Sequence, residues 1–144
     1  MKYIIKLDDD SFLHPQMLAK DILCKNNPND PHYIGQQAIS FGGHIFAGGG
    51  AGFVLSRPAL EELLKTRDKG TCKDTEADDV TVGICLKQAG ISLTSHWGFH
   101  PEPPEPPGIL WQSAHYNVFV TYHHVSVAQA EILNSTSFGH CNIK

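Results

Sequence analysis

The apolar positions change period several times along the chain. Residues 2–7 form an apolar, β-branched run that predicts a buried strand, and three carboxylates, Asp8, Asp9 and Asp10, follow it directly. In "HPQMLAKDILCK", Met17, Leu18, Ile22 and Leu23 recur at helical spacing, so strand, acidic turn and helix is the predicted local order. "NNPNDP" reads as a loop and "HYIGQ" as a short strand. "SFGGHIFAGGGAGFVLS" holds two short apolar runs divided by glycines, with "FVLS" the better strand. Pro58 suits the first turn of a helix "PALEELLKT", with Leu60, Leu63 and Leu64 as its apolar stripe and Ser56 as a possible cap. "RDKGTCKDTEA" is a polar loop. "DDVTVGICLKQAG" predicts a second helix with Val80, Val82, Ile84, Cys85 and Leu86 largely inward and Gly90 as its stop. "ISLTS" and the alternating "YNVFVTYHHV" read as strands, while the prolines of "HPEPPEPPG" leave only a stiff extended segment. No repeat or linker interrupts this order, which predicts a single α/β domain.

Composition narrows the class. A length of 144 residues suffices for one ordinary core, and a net charge of −4 offers no basic excess to nucleic acid or anionic membrane. No apolar run approaches the roughly 20 residues of a membrane helix, and no secretion leader opens the chain. Cys24, Cys72, Cys85 and Cys141 form no CxxC pair, which argues against structural zinc and leaves free thiols or disulfides open. An even cysteine count and the sequon Asn134-Ser135-Thr136 lean toward an oxidising compartment.

Four stretches could carry chemistry, each with an ordinary structural alternative, which for the histidines is a packed or surface side chain. Carboxylates at the C-terminal end of a buried strand stand where open α/β sheets bind ligands, and a pair of them attracts a hard divalent cation. Asp8 and Asp10 can turn to one ligand while Asp9 points elsewhere; the alternative is a solvated helix cap. An EF-hand from Asp8 is excluded, because Phe12, Leu13 and Ala19 occupy its oxygen, glycine and glutamate positions. Gly48, Gly49 and Gly50 expose backbone N–H groups and admit a ligand closely, yet no Lys-Ser or Lys-Thr follows, so the run is either a ligand-lining loop or a flexible hairpin. Asp78 and Asp79 open a helix, either as caps or with one carboxylate serving as a general base. His123 and His124 adjoin in a predicted strand, so only one of them is expected to face any given site. His14, His32, His44, His96 and His140 receive no role.

Taken in order, "IIKLDDDSF", "YIGQ", "FAGGGAGFVLSRPAL", "DDVTVGICLKQAGI", "FHPEPP" and "VTYHHV" resemble the catalytic half of the Fringe-like β1,3-glycosyltransferases of glycosyltransferase family 31, above all the core 1 β1,3-galactosyltransferases. The resemblance covers residues 1–127 and leaves 128–144 as an unassigned C-terminal extension. It implies a GT-A type fold, a nucleotide-diphospho-sugar transferase α/β sandwich. It also implies inverting transfer of a sugar, galactose foremost, from a UDP-sugar donor to a hydroxyl on a glycoprotein or glycan acceptor. By the same resemblance Asp10 and His123 would be the Mn²⁺ ligands, and Asp8, with Asp9 beside it, would stand near the ribose or the metal-bound water. Gly48, Gly49 and Gly50 would line the donor and acceptor cleft, and Asp79 would be the general base. A Cys72–Cys85 disulfide matches a similar pair in core 1 enzymes.

The residue types agree with that chemistry. A diphosphate leaving group needs a cation bridging its oxygens, and inversion needs one displacement with a carboxylate removing the acceptor's proton. The rival expectation is a non-catalytic chaperone or glycan-binding relative, against which the intact "DDD" and "DDV" speak. Family members act in the Golgi lumen behind a signal anchor, and they carry strands and helices before this acidic strand. The chain is therefore expected to begin partway through an enzyme, to expose a sheet edge, and to be poorly soluble and a weak donor binder by itself.

Overall fold

The computed structural model describes residues 1–103 and 119–134. β1 (Tyr3–Lys6) leads through the acidic turn to β2 (Phe12–Leu13) and then to a helical stretch that starts as α1 (Pro15–Met17) and continues as π-helical turns over Leu18–Leu23. β3 (Tyr33–Gly35), β4 (Gln37–Ile39), β5 (Ile45–Ala47) and β6 (Phe53–Ser56) precede the two longest helices, α2 (Arg57–Asp68) and α3 (Asp78–Gln88). β7 (Thr94–Ser95), β8 (Phe99–His100), β9 (Thr121–Tyr122) and α4 (Val127–Asn134) follow.

The main sheet runs β1-β6-β3-β7, antiparallel except for the parallel pairing of β3 with β7. Alternation along its strands decides the layers. Tyr33, Phe53 and Leu55 face α2 and α3, where they meet Ala59, Leu63, Cys85, Leu86 and Ile91. Ile34 and Val54 point the other way, onto Ile22, Ala51, Phe99 and Val120. The sheet is thus buried on both faces, as a three-layer α/β sandwich requires. A second sheet, β2-β9-β8, closes one end, and β4 with β5 forms a separate hairpin. A third cluster, Phe119, Tyr122 and Leu133, seats α4 beneath the second sheet.

Several local expectations are corrected. Ser56 stands at the N-cap of α2 without capping it, because its hydroxyl donates to Asp30 O at 2.7 Å and accepts from His32 N–H at 2.8 Å. Leu64 is half exposed, and the inward face of α2 is Ala59, Leu63 and Thr66. In α3 the buried positions are Thr81, Gly83, Cys85 and Leu86, while Val80, Val82 and Ile84 are only partly covered. β4 comes from "QAI", whose glutamine and outward Ile39 hide any alternation. "ISLTS" contributes only two strand residues, and among the described residues of the late strand Thr121–Tyr122 are the strand positions. Gly90, at φ +80°, does end α3, with Ala89 before it as C-cap. Most of the proline-rich segment, Cys141 and the last two residues of the sequon lie outside the described residues.

A disulfide joins Cys72 to Cys85 with the Cα atoms 5.2 Å apart, tying the loop before α3 to the buried face of that helix. Cys24 is disulfide-bonded as well. Among the described residues, no helix is long and apolar enough to cross a membrane.

Candidate active site

The site is assembled by the pairing of β2 with β9. Phe12 lies opposite Tyr122 and Leu13 opposite Thr121, so continuing the register two residues outward would set Asp10 against His124. The backbone stays together past the strand ends but slips by one residue: Val125 N–H, not His124 N–H, donates to Asp10 O at 3.0 Å, beside the left-handed His124. The acidic turn is closed on its other side by Ser11, whose N–H donates to Asp8 O at 3.2 Å while its hydroxyl donates to Gly50 O at 2.8 Å. Residues more than a hundred positions apart are thereby brought into one cluster.

His123 Nε2 stands 3.2 Å from Asp10 Oδ1 and 3.9 Å from Asp8 Oδ2. Its other ring nitrogen, Nδ1, is 3.2 Å from the carbonyl of Pro101. A carbonyl can only accept, so this contact puts the Nδ1 proton between them and turns the Nε2 lone pair toward the carboxylates in the neutral ring. Lone pairs facing carboxylate oxygens call for a positive charge between them, either a proton or a metal ion. His124 also faces Asp10, with Nδ1 2.8 Å from Oδ2. That hydrogen bond, helped by the two neighbouring imidazoles, holds the Asp10 carboxyl below the usual carboxylate range.

The expectation that only one of the paired histidines could face the site is therefore corrected. Both lie beyond the end of β9, and His124 takes φ +55°, which cancels strand alternation and stacks its ring on that of His123 with centroids 3.6 Å apart. Asp10, His123 and His124 offer donor atoms that all lie within 4.8 Å of one another. Two imidazole nitrogens and a carboxylate, with a second carboxylate alongside, are a donor set suited to a divalent transition ion such as Mn²⁺.

The glycine run fills the space between this cluster and α3. A Cβ on Gly50 would lie 2.2 Å from Cε1 of His123, and one on Gly49 would lie 2.7 Å from Lys6 Nζ and 3.2 Å from Asp79 Oδ2. Gly48 has open space around it. The run is a pinned turn rather than a flexible hairpin: Gly49 N–H donates to Asp79 Oδ2 at 2.8 Å, and the Thr121 hydroxyl donates to Ala51 O. Gly52, at φ +81°, packs so tightly on Lys6 O and Leu7 that only glycine fits.

Asp79 is half-buried, with Oδ1 accepting from Val80 N–H at 2.8 Å and Oδ2 from Gly49. Asp78 is exposed and lies 4.0 Å from Lys6 Nζ. Lys6, which pattern reading passed over, also hydrogen-bonds Asp8 Oδ1 and is the cation nearest these acids. Its signal was present in the strand period, since Lys6 and Asp8 are two apart and share a face. Asp9 is exposed and stands outside the cluster. The structure therefore brings Asp8, Asp10, His123, Gly49, Gly50 and Asp79 into one continuous surface, adds Lys6, Ser11 and His124 to it, and leaves Asp9 apart.

A model of the Fringe-like family matches residues 1–140. Over 111 residues the chain is 31% identical to the glycoprotein-N-acetylgalactosamine 3-beta-galactosyltransferase 1 of Xenopus laevis, covering 72% of this chain and 31% of that protein. It is 28% identical over 108 residues to a beta-1,3-glucosyltransferase of Mus musculus, covering 72% of this chain and 22% of the relative. The human beta-1,3-glucosyltransferase is 28% identical over 106 residues, covering 71% of this chain and 21% of the relative. The chain thus spans less than a third of the length of these relatives.

Proposed function

The chain belongs to the Fringe-like family of β1,3-glycosyltransferases, and from that premise we propose that it is the catalytic part of a Mn²⁺-dependent, inverting hexosyltransferase of GT-A type fold. The donor is a UDP-sugar, UDP-galactose foremost, and the acceptor is a hydroxyl on a glycoprotein glycan, joined in β1,3 linkage within the Golgi lumen. The observation that carries this reading is the convergence of Asp8, Asp10 and His123, with the His123 tautomer set by Pro101 O.

Asp10 and His123 would hold the cation, with Asp8 beside them toward the donor. When bound, Mn²⁺ supplies Lewis-acid neutralisation of the charge that develops on the departing diphosphate. Every other step belongs to the protein. The glycine turn keeps Cβ atoms out of the space beside His123, Lys6 and Asp79, so the donor can approach without Cβ interference. Asp79, fixed by two backbone N–H groups, keeps free lone pairs with which to take the acceptor's proton as its oxygen attacks the anomeric carbon. One displacement inverts the centre. Lys6 balances Asp8 and Asp78, so the acids can stand together before any donor arrives.

Two measurements on the chain test this. Calorimetry is expected to show UDP binding that requires Mn²⁺ and falls at least about tenfold in Asp10→Ala. Radiolabel transfer from UDP-galactose is expected to drop by about 10²- to 10⁴-fold in Asp79→Asn, with UDP binding retained. Transfer surviving both substitutions would overturn the assigned roles, and glycan binding indifferent to metal would favour a non-catalytic relative.

A further inference from the structure

The mechanism gives His124 no task, yet its backbone and its ring are both placed at a cost. A non-glycine residue in the left-handed region gives up of order 1 kcal/mol or more, and His124 is 60% exposed, so no buried packing compels that conformation. What the conformation achieves is local. It turns the ring back from the opposite side of the chain onto Asp10, where His123 already is.

We propose, resting on the cation site described under the proposed function, that His124 is a further protein ligand of the same divalent ion through Nδ1. By adding a second imidazole, it also makes the site prefer Mn²⁺ and Co²⁺ to Mg²⁺. The spacing supports a shared ion. Neighbouring donors on a cation with bonds of about 2.1 Å lie roughly 3 Å apart. The gaps are 3.2 Å from His123 Nε2 to Asp10 Oδ1 and 2.8 Å from His124 Nδ1 to Asp10 Oδ2. All three residues present these atoms within 4.8 Å. A backbone bond one residue out of the β2–β9 register ties the group together, since Val125 N–H donates to Asp10 O immediately after the turned residue. Selectivity then follows from ligand chemistry: carboxylate and water suit Mg²⁺ and Mn²⁺ alike, whereas each imidazole favours the softer transition ions and does little for Mg²⁺.

The test uses the full chain and three metals. Mn²⁺ binding is read from the electron paramagnetic resonance of free Mn²⁺, Co²⁺ binding from its visible d–d absorption, and Mg²⁺ by competition. The variants are His124→Asn and His124→Gly, both at ease in a left-handed backbone, with Asp10→Ala and His123→Ala for reference. The expected result is at least about a tenfold loss of Mn²⁺ and Co²⁺ affinity in both His124 variants, an altered Co²⁺ spectrum and little change for Mg²⁺. Wild-type affinities and spectrum in both His124 variants, alongside losses in Asp10→Ala and His123→Ala, would overturn this inference alone. An equal loss for all three metals would reduce His124 to a residue that orients Asp10 and would likewise overturn its role as a ligand. A wild-type chain that takes up no Mn²⁺ or Co²⁺ would overturn the cation site itself.

Discussion

A methyl group at position 50 would lie 2.2 Å from Cε1 and 2.3 Å from Nδ1 of His123, far inside contact distance. Gly50→Ala must therefore push the ring away from Asp10 or shift the turn off Ser11. Gly50 is a partly buried turn residue and the added methyl meets a single side chain that can turn aside, so the substitution should weaken Mn²⁺-dependent UDP binding by at least about tenfold while the urea midpoint moves far less. Unchanged binding by calorimetry would show that the ring is not held where it must be. The residue scale also marks the limit of reading the sequence. Asp8 and Asp10, the glycines and Asp79 were legible as types of residue in a pattern. The role of Lys6 and the turning of His124 were not, because the first needs the strand's face and the second needs a dihedral angle that no local rule assigns to histidine.

At the scale of elements, α3 is set by a glycine inside it. Gly83 packs where an added Cβ would come 2.6 Å from Phe46 Cβ and 3.0 Å from Ile45 O, which lets the helix lie directly on β5. In a free helix Gly→Ala stabilises by about 1 kcal/mol; against this backbone it should instead destabilise by about 1–3 kcal/mol, because β5 cannot yield. Urea denaturation of Gly83→Ala checks the sign. The disulfide acts on the same helix from its other side. Cys72 and Cys85 close a loop with a sequence separation of 13, so replacing both with alanine should cost about 3 kcal/mol and loosen residues 73–77 ahead of Asp78 and Asp79. The helices were readable because their apolar spacing extends over three turns. The short strands were not, since two or three residues carry too little alternation, and β4 turns an apolar side chain to solvent.

For the whole molecule, buried ionisable groups set the range of pH in which it is stable. Burial lowers the pKa of His100, which stacks on Tyr122, and burial likewise lowers that of His96 against the opposing charge of Asp21. A lowered folded pKa means that the unfolded chain takes up protons first, so stability is full above the unfolded value near 6.5 and declines as pH falls below it. Each such group can steepen the decline by up to about 1.4 kcal/mol per pH unit. His100 Nε2 is buried with no hydrogen-bond partner among the described residues, so His100→Phe removes the penalty, keeps the stack and should flatten the acid limb of an unfolding curve followed by circular dichroism. At the other end, burial pushes Tyr33 up to about 12, aided by the charge of Asp79. Its stabilisation is complete below pH 10 and lost between there and about pH 12, as titration of Tyr33→Phe against wild type would reveal.

The pairing of β2 with β9 that brings Asp10 to the two histidines also has a temporal meaning. Helices and the β4–β5 hairpin close over short stretches of chain, whereas β2 can find β9 only by closing a loop of more than a hundred residues. Loop closure of that length is slow and costs entropy before any contact repays it. The cation cluster is thus expected to be the last feature to form on folding and the first to open on unfolding. A divalent ion added during refolding would then act on the final step alone, raising the yield of closed molecules without hastening the formation of α2 and α3.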